Sequence, residues 1–108
     1  MPLRKDKIMW FVTVVEKMEY VESDWANYGS TRTWGYYSDK EVATQSLHEN
    51  WTDMRENFWN YAVIEEYEEG ICNDTGERQW FKWNEERQGY FEIDEPEGVR
   101  QIVCFAIG

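Results

Sequence analysis

Residues 60–70 read NYAVIEEYEEG, a segment that begins as an apolar run and then carries four glutamates within residues 65–69. The apolar half is typical of a strand buried in a sheet. Alternate residues of a strand face the same side and lie about 6.6 Å apart, so Glu66 and Glu68 share one side of the sheet. Glu65 and Glu69 share the other side. The segment therefore predicts a strand that displays carboxylates in regular rows.

The acidity of the chain is concentrated around this segment. The 108 residues hold 22 acidic and 11 basic side chains, for a net charge of -11. Residues 65–97 alone hold 12 acidic and 3 basic side chains, whereas residues 1–64 hold 10 and 7. This balance disfavours direct binding to nucleic acid or to an anionic membrane. It predicts a basic protein as the partner.

A disordered acidic chain is excluded by the aromatic content, because 7 Trp, 7 Tyr and 5 Phe are far more than such chains carry. The length predicts a single compact domain over residues 1–108. The apolar run Ile8–Val15 follows several bases, but Glu16 and Lys17 end it before a signal peptide or a membrane span could form. We therefore expect a cytoplasmic location.

Strand patterns recur along the chain. Ile8–Val15 predicts a strand buried on both faces near the centre of a sheet. Residues 33–37, 61–72, 77–84 and 90–94 carry further strand patterns, and residues 101–107 favour a last strand. A turn is predicted at residues 73–76, with Gly76 in a left-handed conformation, and a second turn at residues 84–89.

One helix is predicted between these strands. A capping box in residues 38–41 places its start at Ser38, with Glu41 reaching back to the Ser38 amide. Apolar residues then recur at helical spacing to about residue 57: Ala43, Leu47, Trp51, Met54 and Phe58. The predicted fold class is α+β, with one long helix packed on a mostly antiparallel twisted sheet of about four to five strands.

The chain carries no recognisable catalytic, cofactor or metal motif. His48 is the one histidine, and Cys72 and Cys104 are the two cysteines, which is too few ligands for a structural zinc site. In a reducing compartment the cysteines are expected to be thiols. Paired carboxylates of a glycosidase need a cleft that a domain of this size offers little room to form. We therefore expect a protein that is not an enzyme and has no cofactor.

The candidate partner-binding residues combine the acidic rows with nearby aromatic anchors. They are Glu65, Glu66, Tyr67, Glu68, Glu69, Trp80, Trp83, Glu92 and Asp94. A second interpretation of the same glutamates is an edge strand whose charges prevent aggregation and are partly offset by Arg78 and Lys82.

Several blocks, GYYSDKEVA, LHENW, YAVIEEYEEG, WFKWNEERQGY and the terminal FAIG, resemble a group of short uncharacterised acidic proteins of gut bacteria, phages and mobile elements. The resemblance covers roughly residues 34–108. By size and charge such proteins are similar to anti-CRISPR and other anti-defence inhibitors, which favours an inhibitor that blocks the nucleic-acid channel of a basic protein.

Two other functions stay open from the sequence. An immunity protein that neutralises a basic toxin nuclease would need the same charges. A small ligand-binding module would instead use an aromatic platform to stack on a sugar or nucleobase. The residues of that platform would be Tyr20, Trp25, Tyr28 and Trp34.

Overall fold

A computed structural model describes residues 8–17, 19–20, 26–27, 29–51, 59–68 and 74–96. Five strands form one sheet in the order β4-β1-β5-β6-β7, and every neighbouring pair is antiparallel. A separate two-stranded ladder joins β2 to β3. The elements are β1 (Ile8–Val15), β2 (Glu19–Tyr20), β3 (Ala26–Asn27), β4 (Thr31–Tyr37), α1 (Lys40–His48), β5 (Tyr61–Glu68), β6 (Asp74–Asn84) and β7 (Gly89–Ile93). An α+β architecture with an antiparallel sheet is confirmed.

The glutamate-bearing strand β5 is the middle strand of the five. It pairs with β1 along its whole length, from Ile8 opposite Glu68 to Val15 opposite Tyr61. Its other neighbour is β6, with a register shift between Glu65 and Tyr67. The interpretation of this run as an edge strand is therefore wrong, because β5 has a hydrogen-bonded neighbour on each side and β4 and β7 are the outermost of the described strands.

The main core lies between α1 and one side of the sheet. Leu47 of α1 and the sheet residues Ile64 and Phe81 are fully buried there. Burying a side chain of this size contributes about 1.5–3 kcal/mol to stability. The other buried members are Val12, Val14, Ala43, Trp59, Ala62 and Tyr90. The packing of Ala43 and Leu47 against this side of the sheet fixes the position of α1.

The opposite side of the sheet is buried as well. Val63 and Trp80 have almost no exposed surface, and the same is true of Thr13. Burial on both sides explains why β1 and the first half of β5 are continuous apolar runs rather than alternating ones. Ile8–Val15 is confirmed as an inner strand, and burial on both faces is confirmed for its second half, residues 12–15, whereas residues 8–11 are partly exposed.

Helix α1 is nine residues long and differs from the predicted helix at both ends. Its N-cap is Asp39, whose side chain accepts a hydrogen bond from the Glu41 amide at 2.8 Å, so the cap is not Ser38. The helix ends at His48, and Asn50 follows with a left-handed φ of 50°. Asparagine tolerates that conformation better than most residues, so Asn50 is well suited to end the helix. No helix in the described residues is long and apolar enough to cross a membrane.

The two hairpins differ in how well they were predicted. The β6–β7 turn lies at residues 85–88, as expected. Gly76, expected to close the preceding turn, lies within β6 instead, because β6 begins at Asp74. Several predictions lie outside the described residues: the second half of the helix with Met54 and Phe58, the cysteines Cys72 and Cys104, and the last strand over residues 101–107.

Candidate functional site

Three of the predicted contact residues are interior residues. Glu65, Tyr67 and Trp80 have relative exposures of 0–3% and lie on the sheet side that faces away from α1. These three predicted partner contacts are not exposed in this structure, because a central strand covered on both sides does not present them at the surface. Their side chains contribute to stability instead.

The Glu65 carboxylate is held by a cation from the adjacent strand. Register places Glu65 directly opposite Arg78, and the Arg78 Nε donates to Glu65 Oε2 at 3.1 Å. Only 12% of the Arg78 side chain is exposed, so both charges lie in a low-dielectric environment. Arg78 therefore offsets the negative charge of Glu65, as the sequence predicts. Lys82 does not share this role, because its ammonium lies over the Tyr61 ring.

The other predicted residues differ in how much surface they offer. Glu92 and Asp94 are exposed, whereas Glu66 and Glu68 are half-buried on β5. Trp83 packs against the core and meets Tyr90 edge to face, with ring centroids 5.1 Å apart. Glu69 lies outside the described residues. Of the nine candidate partner-binding residues predicted from the sequence, Glu92 and Asp94 are therefore the best placed to contact a partner.

Exposed carboxylates concentrate on the β6–β7 hairpin and the residues just after it. We call this set the acidic hairpin surface: Glu77, Glu85, Glu86, Glu92, Asp94 and Glu95, all exposed. The sequence prediction missed Glu77, Glu85, Glu86 and Glu95. The available signal was the surplus of acids in residues 65–97, from which the prediction took the glutamates of residues 65–69 together with Glu92 and Asp94.

Most cations of the described residues lie over aromatic rings. The distances to the ring centroids are 4.8 Å for Arg32 over Trp34, 5.3 Å for Lys40 over Trp10, 5.6 Å for Lys82 over Tyr61 and 3.5 Å for Arg87 over Phe91. Such contacts stabilise by about 0.5–1 kcal/mol each at exposed sites. Together with the Arg78–Glu65 ion pair, these contacts place most of the described cations over aromatic rings or in the interior.

The end of α1 is joined to the edge strand β7. His48 Nδ1 lies 2.8 Å from the Tyr90 carbonyl oxygen, and the imidazole stacks on Phe91 at 4.5 Å between ring centroids. Gly89 makes this approach possible, since a Cβ at that position would overlap the His48 carbonyl oxygen. Near this junction the exposed side of α1 lines an open depression of about 360 Å³.

Glu49, at the C-cap of α1, accepts two side-chain hydrogen bonds. Trp51 Nε1 donates to it at 2.9 Å and Gln45 Nε2 at 2.8 Å. These donors, the Trp51 indole first, lower the pKa of the Glu49 carboxyl below its ordinary value. Glu49 is therefore a fixed negative charge beside His48 at neutral pH.

The predicted aromatic platform is only partly within the described residues. Trp34 is partly buried against the core, and the Arg32 guanidinium lies over its ring. The side chain of Tyr20 and all of Trp25 and Tyr28 lie outside the described residues. Within the described part, Tyr36 is the large apolar side chain that stands exposed, at 61%, and its ring contacts Phe11.

Comparison with known proteins gives no relative: no family model matches the chain, and no match is found among curated proteins or solved structures. In the part of the chain that the structure describes, no three His, Cys, Asp or Glu side chains are grouped as metal ligands.

Proposed function

We propose that this chain is a non-enzymatic inhibitor that binds a basic nucleic-acid-handling protein, such as a CRISPR effector, and blocks its nucleic-acid channel. The observation that carries the proposal is the acidic hairpin surface, where six exposed carboxylates lie on one hairpin and the residues that follow it. The two cations of the same hairpin that reach the surface, Lys82 and Arg87, lie over aromatic rings.

The geometry of a hairpin suits this role. Side chains two residues apart on a strand, such as Glu92 and Asp94, are spaced about 6.6 Å apart, comparable to adjacent phosphates along a nucleic-acid strand. Exposed carboxylates also steer a basic partner through long-range attraction, which raises the association rate more than the final affinity. A basic groove shaped for nucleic acid fits both properties.

The test compares two variants that remove the same charge at different places. The hairpin variant carries Glu86→Gln and Glu95→Gln, and the control variant carries Glu16→Gln, just after β1, and Glu41→Gln, in α1, neither of which is part of the hairpin. Each is used to capture proteins from a bacterial host lysate at low and moderate salt. We expect a basic nucleic-acid-binding protein to be retained by the wild type and the control and to be reduced severalfold with the hairpin variant.

Equal retention of that protein by the two variants would show that the hairpin is not part of the binding surface. Capture of a secreted toxin nuclease, rather than a defence protein, would favour the immunity-protein function, which needs the same charges. The identity of the captured protein thus separates these two functions.

A further inference from the structure

The orientation of the His48 ring is set by a backbone carbonyl. Nδ1 lies 2.8 Å from the Tyr90 carbonyl oxygen, which can only accept a hydrogen bond, so Nδ1 carries the hydrogen. In the neutral ring the lone pair then belongs to Nε2. Histidines that bind metals almost always donate their other ring N–H to a carbonyl or carboxylate in this way.

Packing holds the same ring in place. The His48 imidazole stacks on Phe91 with an interplanar angle of 16°, and the Arg87 guanidinium lies over the Phe91 ring at 3.5 Å from its centroid. Phe91 is therefore sandwiched between the two groups. An imidazole fixed by a hydrogen bond and a stack loses little freedom when it binds a ligand.

The second atom of the site is a carboxylate oxygen on β7. Glu92 Oε1 lies 3.5 Å from His48 Nε2, and the two side chains are 50% and 31% exposed. A charge-assisted N–H···O hydrogen bond is shorter, about 2.7–2.9 Å. Two ligand atoms bound at about 2.1 Å to one tetrahedral zinc ion lie roughly 3.4 Å apart.

We infer that His48 Nε2 and Glu92 Oε1 form a two-ligand surface site for Zn²⁺, with water in the remaining coordination positions. The imidazole nitrogen selects a borderline metal such as zinc over Ca²⁺ or Mg²⁺, which prefer sites built from oxygen alone. Since the described residues supply no group of three ligands, the affinity is modest. Neither the inference nor its test depends on the proposed inhibitor function.

The test uses the fact that the chain contains one histidine, so its ring nitrogens give one pair of ¹⁵N signals. Zinc chloride is titrated into ¹⁵N-labelled protein, and the Nε2 shift is followed. We expect a saturable shift of Nε2 with a much smaller change at Nδ1. This readout is specific to His48 and is not affected by zinc at the cysteines.

Two variants complete the test. Glu92→Gln removes one ligand and should weaken zinc binding at His48 at least tenfold, whereas the matched Glu49→Gln control should stay within about threefold of the wild type. Circular dichroism confirms that both variants are folded. No Nε2 shift up to millimolar zinc, or the same affinity in the Glu92→Gln variant as in the wild type, would overturn the inference.

Discussion

The buried Glu65 carboxylate accepts a hydrogen bond from the Arg78 guanidinium on the adjacent strand. Removing one member of a buried ion pair weakens the compensation of the charge that stays buried, which typically costs about 3–5 kcal/mol. We therefore predict that Arg78→Met lowers the free energy of unfolding by an amount in that range. Urea denaturation followed by tryptophan fluorescence measures it.

The control for this prediction replaces both charges. In the Glu65→Leu/Arg78→Met double variant the buried carboxylate is gone, so most of the lost stability should return. A loss below about 1 kcal/mol in the single variant would show that Glu65 does not depend on Arg78.

Glu49 provides a prediction on pH. Its pKa is lowered chiefly by the Trp51 indole N–H and then by Gln45, so the stabilisation is present above the ordinary value of 4.5 and is lost as the pH falls below it. Trp51→Phe should raise the Glu49 pKa towards 4.5, and Gln45→Ala should raise it by less. Carboxyl ¹³C NMR titration measures both; an unchanged pKa in Trp51→Phe would contradict the assigned cause.

For single residues of β5 and β6, the sequence predicted which side chains share a side of the sheet but not which of those sides is buried. Period-two alternation assigns Glu65 and Glu66 to opposite sides of a sheet, yet it does not say which side is covered. Here both sides are covered, so Glu65 and Trp80 are interior. The useful signal was the apolar run just before Glu65, which indicates burial on both faces and predicts that the next residue needs a partner.

At the scale of the secondary-structure elements, the junction of α1 with β7 leaves no room for an added methyl group. A methyl group at Gly89 would overlap the backbone carbonyl of His48, whereas a methyl group at Gly35 meets no atom within 4 Å. Gly89→Ala should therefore destabilise the fold by about 1–3 kcal/mol, because the helix end or the strand must shift. Thermal unfolding measures the change.

Gly35→Ala is the matched control. It adds the same methyl group to another strand of the sheet, in a position with free space, and removes flexibility from the unfolded chain. We expect no loss of stability from it. Equal melting temperatures for the two variants would contradict the close packing of α1 on β7.

The elements themselves were predicted unevenly for physical reasons. β1 and β7 follow from local patterns, a continuous apolar run and an alternating one, and both were found within one residue. The end of α1 was not predicted, because the apolar spacing continues through Trp51, which packs against the core beyond the end of the helix. The left-handed Asn50 ends the helix, and spacing alone does not report it.

At the scale of the whole molecule, the chain separates its charges. Most positive groups of the described residues lie over rings or pair with Glu65, while most of the exposed carboxylates in the same residues lie on the β6–β7 hairpin and just after it. The sequence predicted the acidic surplus and its approximate region. It could not predict this separation, because the cation–ring pairs Lys82–Tyr61 and Lys40–Trp10 depend on the sheet register and on the helix position, respectively.

The most direct test of the inhibitor function is a competition measurement with the captured basic protein and its labelled nucleic acid. Fluorescence anisotropy follows the release of the nucleic acid as the purified chain is added, at several salt concentrations. We predict complete displacement, with an apparent affinity that falls steeply as salt increases. The Glu86→Gln/Glu95→Gln variant should displace less efficiently than the Glu16→Gln/Glu41→Gln variant. Simultaneous binding of the chain and the nucleic acid, with no displacement at any salt concentration, would contradict the proposed function.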